Sequence, residues 1–213
     1  METNMSPKES FITELQLLET YHCMRKSKTR AKPQNKVTNT GVLFKKIVVT
    51  PQGPASAGTG TTSSVVDELT RIVDRVPAAQ DEVQTDSDTD LIQRLVDLLK
   101  ESGDKLNEKI QRDKELLGYL ENCFSYNLFE TLTAAFICKV VPAREQAEET
   151  TEQKRKIAWT FEMTSRLSAL DLQPMNRVMG FGAQYVHQHF TPWIQQHGGW
   201  ENTFNSNEND DML

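Results

Sequence analysis

No stretch of this chain approaches about eighteen consecutive apolar residues, so a transmembrane anchor is not expected. The opening Met1-Glu2-Thr3-Asn4 has no basic region followed by an apolar run, so a secretory signal is not expected either. Cysteine is scarce: Cys23, Cys123 and Cys138 are too few and too odd in number for a disulfide framework, which points to a reducing, cytoplasmic compartment. Gly 10 and Pro 8 in 213 residues exclude a collagen or a low-complexity chain. Catalytic signatures are missing too. There is no Gly-x-Ser-x-Gly elbow, and Gly180-Phe181-Gly182 has neither the preceding strand nor the following Lys-Ser/Thr of a phosphate loop. His187 and His189 stand two apart, on opposite faces of any helix, and Cys123 and Cys138 have no partners at zinc spacing. The expectation is a non-enzyme with no catalytic residue, metal or cofactor.

Charge is present but unevenly spread. Residues 1–66 hold nine Lys/Arg against four Asp/Glu, whereas residues 67–213 hold fifteen against 26. Between Glu19 and Asp67 there is no acid, while Arg25, Lys26, Lys28, Arg30, Lys32, Lys36, Lys45 and Lys46 fall there. Such an arm suits a solvated linker or a weak peripheral contact with an anionic membrane surface. It lacks the interleaved aromatics on which single-stranded nucleic acid stacks, so nucleic acid is not an expected partner.

Periodicity divides the chain further. Phe11, Ile12, Leu15, Leu17 and Leu18 allow one short helix over 9–26 within a basic, largely disordered arm over 1–62. A patch at 42–49 is either a short strand or mobile, and the Pro/Gly-rich 51–60 is a linker. From residue 63 the pattern is helical throughout. Val65, Val66, Leu69, Ile72 and Val73 recur at three- and four-residue steps behind Ser63 or Ser64 as N-cap. An acidic loop over 81–90 carries Thr85, Ser87 and Thr89, a candidate phosphorylation segment. Further helices are expected over 91–110, near 115–120, and over 125–138, 153–170 and 174–190. A final short helix should have Thr191 as its cap and Pro192 at its first position. An acidic flexible tail covers 205–213. The fold class is all-α: a bundle of about seven to eight helices over 63–204.

Two segments stand out within that bundle. Leu95, Leu99, Ser102 and Leu106 lie within about 60° of one another on a helical wheel, with Gly103 beside the stripe and Asp104 beyond it. That is the pattern of an amphipathic helix laid in an apolar cleft, and equally of an ordinary core helix. The second segment is Pro192-Trp193-Ile194-Gln195 followed by Gly198-Gly199-Trp200. Two indoles separated by a Gly-Gly helix stop read as a lid clamping one end of the bundle.

These residues resemble motifs of the B-cell lymphoma 2 family of apoptosis regulators. Pro192, Trp193, Ile194, Gly198, Gly199 and Trp200 resemble the second homology motif. Leu95, Leu99, Ser102, Gly103, Asp104 and Leu106 resemble the third, the death helix. The likeness covers about 63–204, and the stretches 98–106 and 174–182 resemble an atypical or pro-apoptotic branch.

The resemblance implies a helical bundle around a central helix and regulation of apoptosis by protein contacts, with other family members or their death helices as partners. It also implies a groove lined by Leu106, Ile110, Leu117, Leu132 and Phe136. The family's Asn-Trp-Gly-Arg box is absent, leaving Arg155 or Lys156 at the groove rim. Ser102 stands where the death helix usually has an apolar anchor, and Glu162, Arg166 and Asp171 interrupt a hairpin that the family keeps apolar. The competing expectation is a scaffold with this fold and unrelated partners, for example in membrane traffic.

Overall fold

Eleven residues of one helix, Ile157 to Ser165 with Leu167 and Ser168, are buried on every side, which makes that helix the axis of the structure. The computed structural model describes residues 7–30, 59–75, 88–100, 104–141 and 148–204, and these are all helix or short connections, with no strand among the described residues. In chain order the helices are α1 (Pro7–Arg30), α2 (Thr59–Arg75), α3 (Asp88–Lys100), α4 (Asp104–Arg112) and α5 (Lys114–Asn122). They continue with α6 (Tyr126–Val140), α7 (Glu149–Ala169), α8 (Met175–His189), α9 (Thr191–Gln196) and α10 (Gly199–Phe204). The all-α bundle around a central helix, α7, is borne out. Among the described residues, no helix is long and apolar enough to cross a membrane.

Several boundaries follow the local chemistry that predicts them. Ser125 caps α6 by accepting from the Leu128 amide, and Asp113 caps α5 by accepting from the Leu116 amide at 3.2 Å. Pro174 stands immediately before α8. Gly182 permits a close approach of α8 to α7 and α1: a Cβ there would stand 2.6 Å from Thr164 Cγ2 and 3.2 Å from Leu18 Cδ1. Gly180 has no such neighbour.

Other boundaries differ. The helix expected over 9–26 runs from Pro7 to Arg30 and belongs to the bundle, so residues 7–30 are not part of a loose arm. It packs on α8, α7 and α2, burying Leu17, Leu18 and Tyr21. The second helix starts at Thr59, ahead of Ser63 and Ser64, which lie inside it. Of the helix expected over 91–110, the described residues form α3, up to Lys100, and α4, from Asp104. α7 begins at Glu149, ahead of the expected 153, with Glu149 and Glu152 in a first turn that favours carboxylates. Thr191 is the first residue of α9, not its cap. The patch 42–49, residues 51–58 of the expected linker, Lys32 to Lys46, the loop residues Thr85 and Ser87, Ser102, Gly103 and the tail 205–213 lie outside the described residues, whereas Thr89 of the expected loop stands in α3.

Candidate protein-interaction site

The apolar stripe of the segment that resembles a death helix faces inward. Leu95 and Leu99 on α3 are 0% exposed and Leu106 on α4 is 2% exposed. α3 lies across α6 and touches α7. At the edge of that packing Lys139 Nζ stands 2.5 Å from Asp97 Oδ1, and Lys100 Nζ stands 3.6 Å from the same oxygen. Asp104 opens α4.

The residues expected to line a groove are brought together, but as packed core. Leu106, Ile110, Leu132 and Phe136 are buried within one continuous apolar cluster, and Leu117 is half-buried against it. Phe136 meets Trp159 of α7 edge-on, ring centroids 5.9 Å apart. Arg155 and Lys156 are half-buried on α7, with Lys156 Nζ 2.6 Å from Glu152 Oε1 one turn earlier. An apolar recess lies elsewhere, between α5, α7 and α8, lined by Leu120, Phe124, Leu167, Leu170, Leu172 and Val178 with Gln173 at its edge.

The Trp segment closes the opposite side of the central helix. Gly198 and Gly199 adopt φ of +83° and +85°, left-handed angles that let the chain turn from α9 directly into α10. Trp200 then packs edge-on to Phe161 of α7 and stacks on Phe204, while Ile194 is buried. Trp193 is half-buried and lies tilted against His197, ring centroids 4.2 Å apart, with Pro192 exposed.

Sequence reasoning missed a buried polar network beside α3. Glu162 is held from two directions. Its Oε1 accepts from Arg166 Nε at 2.8 Å, and its Oε2 accepts from Arg25 Nε at 2.6 Å and the Tyr21 hydroxyl at 2.7 Å. Arg25 Nη1 reaches on to Asp74 of α2 at 2.6 Å. Arg166 Nη1 donates to the carbonyls of Leu99 and Lys100, at 2.5 and 2.8 Å. Burial raises the Glu162 carboxyl, but Arg166, Arg25 and the Tyr21 hydroxyl outweigh it and hold the group below its ordinary value. Burial beside the Glu162 charge pushes the Tyr21 hydroxyl well up. The signal for this network was in the sequence: Glu162 and Arg166 stand four apart on an otherwise buried helix.

A second missed cluster lies where α1 meets α8 and α9. Glu14, fully buried, accepts from Ser10 at 3.0 Å and from the Thr191 hydroxyl, and His187 Nδ1 stands 3.1 Å from its Oε2. Burial raises its carboxyl in spite of those partners.

Comparison with known proteins identifies relatives of this bundle. The chain is 42% identical over 126 residues to Apoptosis facilitator Bcl-2-like protein 14 of Homo sapiens, a match covering 59% of this chain and 38% of that protein. The Rattus norvegicus protein of the same name is 41% identical over 116 residues, covering 54% of this chain and 35% of its own length. Bcl-2-like protein 12 of Homo sapiens is 29% identical over 117 residues, covering 52% of this chain and 44% of that protein. The chain thus spans less than half the length of the curated relatives it matches. No family model and no solved structure matches it. The relatives bear out the family resemblance drawn from the two motifs.

Proposed function

We propose that this chain, a relative of the B-cell lymphoma 2 family, regulates apoptosis through protein contacts rather than catalysis, with other family members as partners. The proposed mode is exchange of the death-helix segment between its own core and a family receptor. The observation that supports this reading is the burial of Leu95, Leu99 and Leu106 in the closed bundle. A ligand helix must leave that core, and a receptor groove walled by Leu132 and Phe136 opens only when it does. The facilitator sense is taken from the names of the relatives. Moving such an equilibrium from mostly closed to mostly open requires about 5.5 kcal/mol of differential binding, which the partner must supply.

The experiment is a titration of family receptors with the full chain and with a peptide of residues 90–111. The peptide should bind tighter than the folded chain, and Ser102→Ile should tighten it further by restoring an apolar anchor. Equal affinity of peptide and chain would mean that the helix is already exposed. No binding by either would favour a scaffold with unrelated partners.

A further inference from the structure

We propose that Arg166 is a clamp holding α3 in the bundle, and that Glu162 couples this clamp to α1. The last carbonyls of a helix have no intrahelical donors and carry partial negative charge. In the last described turn of α3, the carbonyls of Leu99 and Lys100 accept hydrogen bonds from Arg166 of the central helix. The clamp grips backbone, so it is indifferent to the side chains of α3 and yields only when the end of α3 moves away. Glu162 at Nε and the face of Trp159, 5.8 Å from the guanidinium carbon, fix the orientation of the fork.

A second observation at the same place opposes the clamp. The Trp159 indole N–H is buried and has no acceptor among the described residues. Closing the bundle leaves that donor unsatisfied, and opening admits water to it. The closed state therefore sets a charge-assisted grip against an unpaired buried donor beneath it.

Coupling to α1 runs through the two oxygens of one carboxylate. Glu162 Oε2 is occupied by Arg25 and Tyr21, which leaves only Oε1 for Arg166. Without Arg25, the buried carboxylate draws the guanidinium of Arg166 toward itself and away from the carbonyls of α3. Seating of α1 thus strengthens the hold on a helix it does not itself carry.

Hydrogen exchange on the full 213-residue chain tests this. Arg166→Ala should speed the amides of residues 95–100 roughly tenfold or more relative to those of α6 and α8, the factor implied by losing a charge-assisted hydrogen bond. Arg25→Ala should speed the same α3 amides, to a smaller extent. Should Arg166→Ala fail to fold, Arg166→Lys serves, because an ammonium keeps the charge but cannot reproduce the fork. Unchanged α3 exchange, or equal acceleration of every helix, would overturn the proposal. The clamp's biological role rests on the helix-exchange reading above. The exchange rates report the clamp whether or not a family receptor binds.

Discussion

Trp200 meets Phe161 edge-on, with ring centroids 5.9 Å apart and planes at 67°, and so seats the second tryptophan of the C-terminal motif on the central helix. The contact depends on the turn at Gly198 and Gly199, which swings α10 back over α2 and α7. Trp200→Ala should lower unfolding stability by about 2–3 kcal/mol, below the cost for a fully buried aromatic because the indole is half-exposed. Trp200→Phe should cost less than half as much. Chemical denaturation of the two variants checks the pair.

The two buried carboxylates should act in opposite senses with pH. Glu162 is held below its ordinary value of 4.5, so its contribution is present above that pH and is lost as pH falls through the folded value. Glu162→Gln should cost about 3 kcal/mol at neutral pH and flatten the acid limb of the stability profile.

Glu14 is raised by burial above the same 4.5, so its contribution is present below that pH and lost as pH rises through the folded value. A Gln at position 14 keeps an acceptor for Ser10 and Thr191 and removes the buried charge. Glu14→Gln should therefore be at least as stable as the parent at neutral pH, with a flatter profile above pH 4.5. A loss of more than about 1 kcal/mol at neutral pH would show that the ionised carboxylate is needed there.

Gly182 and Gly180 offer a matched test of packing on one helix. Gly182→Ala places a methyl 2.6 Å from the Thr164 side chain and should cost about 1–3 kcal/mol. Gly180→Ala meets nothing within 4 Å and should stabilise α8 by about 0.5–1 kcal/mol. Thermal melts of the two single variants separate the effects.

Local chemistry made much of the fold legible. Ser125, Pro174 and the Gly198-Gly199 stop mark helix ends by backbone rules that need no tertiary partner. The place of α1 was not legible, because its inward face includes Ser10, Glu14 and His22. Glu14 and His22 are satisfied by Thr191, His187 and Ser165, far away in sequence, and a polar residue buried by distant partners looks exposed in one dimension. The leucine stripe over 95–106 was legible as a stripe, but not its division. The same pattern continues from α3 into α4, and the end of α3 is held by an arginine more than sixty residues away. The expected groove wall was legible as apolar, while its being filled depends on how α3 lies across α6.

Leu95, Leu99 and Leu106 are core in the folded chain, so the proposed function requires their release before the segment can bind a partner. Equilibrium unfolding of Leu99→Ala in the full chain tests this most directly. A fully buried leucine predicts a loss of about 2–5 kcal/mol, with Leu117→Ala, half-buried on α5, costing about 1 kcal/mol. A Leu99→Ala chain within about 0.5 kcal/mol of the parent would mean that the stripe already faces solvent, and would contradict the account.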